Sequence, residues 1–263
     1  METVSSADGT RIGFRRDGSG EATVLFVHGT MATADAWALV GRYLSDRYRV
    51  VAMDRRGHGI SEAGPAHSIG READDVLAVI DAVGEPVHLV GHSAGARVAL
   101  AAAARTDRLL SLTLYEPPIA VSHVPDDFIA RAEALISAGD RDSAVRGFLT
   151  EAAAAADDEI AIMADIPSVW DGAKANVQNG PRDLRALAAE PVDLDSLRAI
   201  TVPVLILVGG DQDAPVYLDG LTEIERALPR ARREVLAGQR HFATAFDADT
   251  FAAKLSAFFA ALP

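Results

Sequence analysis

His88-Leu89-Val90-Gly91-His92-Ser93-Ala94-Gly95-Ala96-Arg97-Val98-Ala99-Leu100 sets a serine between two glycines, with an apolar run (Val87 to Val90) before it and an alanine-rich run (Ala94 to Ala104) after it. The first run predicts a buried strand and the second a helix, so the chain must turn sharply at Ser93. Such a turn forces the serine into a strained backbone conformation. Side chains two residues either side would collide, which explains Gly91 and Gly95: only hydrogen fits. The geometry lifts the Ser93 hydroxyl above the sheet edge and aims the Ala94 N–H and the helix N-terminus at any negative charge developing there.

Outward from this stretch, strand and helix alternate. Residues 2 to 16 read as a hairpin turning at Asp8-Gly9, and Thr23 to Val27 is a continuous apolar strand that ends in His28-Gly29-Thr30. A helix around Ala34 to Leu44 leads to a strand from Tyr48 to Met53, then to the turn-rich loop Asp54-Arg55-Arg56-Gly57-His58-Gly59-Ile60-Ser61. Ile69 to Val83 carries helical spacing and stops at Gly84. Beyond the Ser93 helix, Leu109 to Tyr115 is another apolar strand, stopped by Glu116-Pro117-Pro118. This rhythm predicts a doubly wound, mostly parallel sheet with its site at the carboxyl ends of the strands.

Residues 119–199 break the rhythm. They are helical, alanine-rich and acidic, without a clear strand, and strand character resumes only at Val202 to Val208. An insertion of this kind at the active-site edge reads as a cap over a core made of residues 1–118 and 200–263. A last strand near Arg233 to Leu236 precedes Gly238-Gln239-Arg240-His241, and Ala248 to Leu262 is a closing amphipathic helix.

The whole chain sets limits. Its 263 residues suffice for one large α/β domain, and 25 basic against 38 acidic residues give a net charge of −13. That balance argues against nucleic acid or an anionic membrane as partner. Without cysteine there can be no disulfide, thiolate metal site or cysteine nucleophile. Met1 to Arg16 lacks the apolar core of a signal peptide, and no run reaches the length of a membrane span, so a cytoplasmic location is expected. Dinucleotide and Walker-type glycine loops are absent, so no cofactor is expected.

With these elements placed, the chain resembles the α/β-hydrolase family over essentially its full length. The resemblance rests on His28-Gly29, Asp54 to Ser61, Gly91-His92-Ser93-Ala94-Gly95 and the late His241. Tyr115-Glu116-Pro117-Pro118 and Gly238-Gln239-Arg240-His241 look like a branch of bacterial hydrolases with short helical caps, and parts, including Trp170 and His241-Phe242, are similar to the zearalenone lactonases. The resemblance implies the order serine, acid, histidine, and oxyanion donors at the Thr30 and Ala94 N–H groups.

Of the seven histidines, only His241 follows the last core strand, where a general base can reach Ser93. No pair of histidines has zinc-ligand spacing with a carboxylate beside it, so no metal is expected. Three carboxylates compete to orient His241. Asp213 occupies the family's commonest acid position, and Asp211 is one step off it. Glu116 ends a buried parallel strand, where a carboxylate is costly without a partner. That cost, together with the resemblance, favours Glu116, with Asp213 as the alternative. Trp170, Phe128 and Met163 are candidates to line a pocket from the cap. The expected activity is cofactor-free hydrolysis of a small-molecule carboxylic ester or lactone by way of an acyl-enzyme. Carbon–carbon bond hydrolysis or another reaction on the same triad, and a small-molecule receptor on the same fold, stay open, as does the oligomeric state.

Overall fold

The computed structural model describes residues 1–262. Eight strands form one sheet: β1 (Glu2–Ser5), β2 (Arg11–Asp17), β3 (Ala22–Val27), β4 (Tyr48–Met53), β5 (Val87–His92), β6 (Leu109–Tyr115), β7 (Val204–Gly209) and β8 (Ala231–Leu236). Their order is β1-β2-β4-β3-β5-β6-β7-β8, antiparallel at the β1–β2 and β2–β4 pairs and parallel elsewhere. The continuous apolar runs become the central strands because both faces of the sheet are covered. Along β3, Leu25 and Val27 pack on one face while Val24 and Phe26 pack on the other, as strand alternation requires. Burying each such side chain contributes about 1.5–3 kcal/mol.

Helices α1 (Ala38–Leu44), α2 (Ile69–Val83) and α3 (Ala94–Ala103) connect the first strands. Helix α2 begins where Ser68 accepts from the Arg71 N–H and ends at Gly84, whose φ of 87° lies in the left-handed region that closes a helix. Helices α2 and α3 cover one face of the sheet, and α1 covers the other together with the closing helix.

Between β6 and β7 the chain forms α4 (Phe128–Ser137), α5 (Arg141–Gly147), a π-helical turn (Phe148–Ala152), α6 (Asp157–Ala164), α7 (Pro167–Asn176) and α8 (Gly180–Ala189), with no strand. This segment has an apolar cluster of its own, including Phe128, Val145, Phe148 and Trp170, which Met31 and Phe242 join from outside the segment, while Val121 also packs against the main core. After β7 come α9 (Pro215–Leu218) and α10 (Leu221–Ala227), and after β8 come α11 (Ala243–Phe246) and α12 (Ala248–Ala260). Among the described residues no helix is long and apolar enough to cross a membrane.

Helix α8 is fastened to the core by polar contacts. Asp183 pairs with Arg55 (3.0 Å), Arg182 donates to the Arg56 carbonyl and Asn179 to the Gly57 carbonyl, each at 2.8 Å. Just past α8, the Glu190 carboxylate accepts from the Ile69 and Gly70 N–H groups (2.9 and 3.1 Å), satisfying the positive end of α2.

Candidate active site

Ser93 has φ 54° and ψ −127°, the strained turn expected between β5 and α3. A Cβ on Gly95 would overlap the Val27 and His28 carbonyl oxygens, and one on Gly91 would run into the backbone of Gly95 and Ala96. Gly29 is close as well: its Cβ would lie 3.0 Å from that of Ser93. Thr30 and Ala94 flank the serine, and among the described residues neither N–H has a protein acceptor.

Strand register brings the next group alongside. His92 is paired with Tyr115, and the Ser93 N–H donates to the Tyr115 carbonyl at 2.9 Å, so residue 116 emerges beside the serine turn. Glu116 is left-handed, with φ 43° on a residue that has a side chain, a conformation costing on the order of 1–3 kcal/mol. Its contacts hold it there. The Glu116 N–H donates to the Leu207 carbonyl, Oε1 accepts from the Gly209 N–H (2.8 Å), and Oε2 accepts from Gln212 Nε2 (2.8 Å) and from His241 Nδ1 (2.7 Å). Because a carboxylate can only accept, Nδ1 carries the proton and Nε2 is left with a lone pair. Both Glu116 and His241 are buried.

Asp213, the alternative acid, is exposed and, among the described residues, forms no hydrogen bond or ion pair with His241; Asp211 is exposed too. The segment after β7 instead contributes Gln212 from its loop and Tyr217 from α9. Tyr217 stacks on the His241 ring (centroids 4.2 Å apart, 18° between planes), and its hydroxyl donates to the Ala153 carbonyl at 3.1 Å. Burial, reinforced by the neighbouring Glu116 charge, holds the Tyr217 pKa well above its ordinary value. From the other side His92 Nε2 donates to the His241 carbonyl (2.9 Å), and burial keeps the His92 ring neutral. The sequence offered no periodic signal for Gln212, which lies in a turn whose most conspicuous residues are its two aspartates, or for Tyr217 in the short helix α9 that follows.

Ser93 and His241 face a cavity of about 420 Å³, a volume suited to a small organic ligand. Met163 and Trp170 line it. Phe128 does not: it lies inside the apolar cluster of the helical segment, edge-on to Phe148 at 5.9 Å with the Arg131 guanidinium over its ring. Helical spacing shows that α4 has an apolar face without showing whether that face meets other helices or the cavity. Phe148, Leu149 and Phe242 line the cavity without having been anticipated.

A second group of charges lies buried at the α8 junction. Arg55 donates twice to Glu72, at 2.6 Å each, and once to Asp183; Arg56 grips Asp75 twice at 2.7 Å. His67 Nε2 stands 3.4 Å from both Glu72 and Asp183, without a hydrogen bond. Burial, helped by the Arg182 charge, depresses the His67 pKa to about 3, and burial lowers that of His58 to about 4, so both rings are neutral near pH 7. Burial pushes the Asp183 carboxyl up, but Arg55 and its cationic neighbours outweigh this and hold it at about 2. His67, Glu72 and Asp183 converge closely enough to resemble a metal-ligand set, a grouping that sequence spacing did not suggest. Here a cation would have to share both carboxylates with the buried Arg55 guanidinium.

A family model described as "Alpha/beta hydrolase family" matches residues 24–254. The chain is 31% identical to a non-heme haloperoxidase of Rhodococcus erythropolis over 278 residues, covering 98% of this chain and 99% of the relative. It is 39% identical over 116 residues to the dihydrolipoyllysine-residue acetyltransferase component of an acetoin cleaving system from Cupriavidus necator, spanning 43% of this chain but only 31% of that protein. An α/β hydrolase from Sphaerobacter thermophilus has a similar structure, with a TM-score of 0.85 and 33% identity over 98% of this chain and all of that one. The chain therefore belongs to the α/β-hydrolase family.

Proposed function

We propose that the protein is a serine hydrolase that cleaves a carboxylic ester or lactone through an acyl-enzyme. Ser93 is the nucleophile, His241 the general base, and Glu116 the carboxylate that orients it. The observation that carries this reading is the buried 2.7 Å contact between His241 Nδ1 and Glu116, which leaves the other imidazole nitrogen free to accept a proton on the wall of the cavity that holds Ser93. Ser93 Oγ attacks the carbonyl carbon and its proton passes to His241. The negative oxygen is received by the Thr30 and Ala94 N–H groups, and His241 then protonates the departing alcohol. Water, deprotonated by His241, releases the acid. The residues of the helical segment that line the cavity, Met163 and Trp170 among them, select the substrate.

A fluorophosphonate probe tests the assignment. It should label Ser93 alone, the protein should turn over short p-nitrophenyl esters, and His241→Ala should lose most of that turnover while remaining folded. Labelling that persists in Ser93→Ala would remove the serine from its role. Chelators should leave the rate unchanged.

A further inference from the structure

Ser93 opens onto two spaces of very different size. The large cavity holds His241 on its wall. A smaller one, about 20 Å³, lies between Ser93, Thr30 and Ala94 on one side and Val121, Ala152, Leu187 and Val216 on the other, and His241 does not line it. Phe148 and Ala153 line both spaces and form the partition. That partition is closely packed: Phe148 starts the π-helical turn, and its ring sits so close to Gly180 that a Cβ there would be 2.7 Å away.

Ester cleavage imposes a direction on these spaces. At the tetrahedral carbon the four substituents are Ser93 Oγ, the oxyanion, the alcohol oxygen and the acyl chain. The oxyanion occupies the Thr30 and Ala94 donors. The alcohol oxygen must take its proton from His241, which places the alcohol in the large cavity. The acyl chain points away from His241, toward the small space beside Ser93. A volume near 20 Å³ holds about one water-sized group, and a methyl group is of that order.

We infer that this enzyme is selective for formyl and acetyl esters of bulky, apolar alcohols. The inference rests on the serine-esterase reading above and adds a polarity to it: small acid, large alcohol. The Ser93 Oγ–carbonyl carbon bond forms as the carbon–alkoxide oxygen bond breaks, and the serine proton leaves on the alcohol by way of His241. Water then supplies hydroxide to the acyl carbon and a proton to His241, releasing Ser93 with its proton restored, and formate or acetate. A lactone ties acid and alcohol into one ring, which would have to pass around the Phe148 partition, so open-chain esters are the better substrates.

The test is a series of naphthyl esters with formyl, acetyl, propanoyl, butanoyl and hexanoyl groups, together with a lactone panel, on the full-length protein. Each methylene that a pocket must reject costs about tenfold or more, so acetyl should exceed butanoyl in kcat/KM by about 100-fold. Phe148→Ala should narrow that ratio by opening the partition, and Ala152→Val should lower the acetyl ester relative to the formyl ester by filling the space. A flat acyl profile, a preference for butanoyl and longer chains, or a lactone hydrolysed faster than the acetyl ester would overturn the inference while leaving the esterase reading intact. No turnover of any ester, with Ser93 unlabelled by fluorophosphonate, would sink the esterase reading and this inference with it.

Discussion

Two buried centres in this molecule are assembled from histidine and carboxylate, and they are put together in opposite ways. At the strand ends, Glu116 spends both oxygens on fixed donors, the last of them His241, and the histidine keeps one nitrogen facing the cavity. At the α8 junction, Glu72 and Asp183 are held by Arg55, and His67, lying 3.4 Å from both, has no hydrogen bond on either ring nitrogen. The first arrangement leaves a base with a defined tautomer. The second leaves rings that stay neutral and carboxylates that are already committed. Proximity of histidine to an acid therefore does not make a reactive site; what matters is which partner the acid has already taken.

The sharpest way to break this contrast is Glu116→Gln. An amide would favour the wrong imidazole tautomer, and the corresponding change in a serine protease costs on the order of 10⁴ in kcat. Turnover of a short ester should fall on that scale with the fold preserved; a mild loss would show that the contact is not needed. Asp183→Asn should do the reverse. Removing one partner of a buried pair costs about 3–5 kcal/mol, visible as a lower urea midpoint, while kcat on the same ester stays near wild type. If kcat fell as far as in Glu116→Gln, the two centres would not be separable.

Acid should next weaken the fold through its buried histidines, at the junction and in β5. His58 and His67 have pKa values depressed by burial to about 4 and about 3, and His88 is likewise lowered to about 4. Below pH 6.5 the unfolded chain takes up protons that these folded rings refuse, so stability falls as pH drops, by about 1.4 kcal/mol per pH unit for each ring between its two pKa values. Urea midpoints at pH 7 and pH 5 measure this, and a midpoint that stays constant or rises on acidification contradicts it. Trp170→Ala should change the preference among alcohol sizes more than it slows the smallest ester; equal loss on every ester would place Trp170 in the general scaffold. The smallest effect belongs to Asp213→Asn, whose carboxylate is exposed, and its kcat should stay near wild type.

Much of the core was legible in the sequence because its signals are local. Continuous apolar runs such as Thr23 to Val27 and Leu109 to Tyr115, bounded by turn residues, read as strands buried within a sheet, and Gly91 and Gly95 are required by the turn they flank. Glu116 could be favoured over Asp213 only with two signals together: a carboxylate at the end of a buried strand needs a partner nearby, and the family resemblance pointed to the same residue. The junction was not legible: Arg55 and Asp183 stand 128 positions apart, and neither carries a mark of the other. Phe128 shows the same limit in the helical segment, where an apolar helix face has two possible neighbours and spacing cannot choose between them.

The fastening of α8 also bears on how the molecule comes apart. Asp183, Asn179, Arg182 and Glu190 tie the inserted segment to the Arg55–Gly57 loop and the start of α2, so loss of the insertion would strand Arg55 in the interior without half of its charge partners. Insertion and core should consequently melt as one cooperative unit, giving a single calorimetric transition whose van't Hoff and calorimetric enthalpies agree. Limited proteolysis under native conditions should likewise fail to release the helices as a separate fragment.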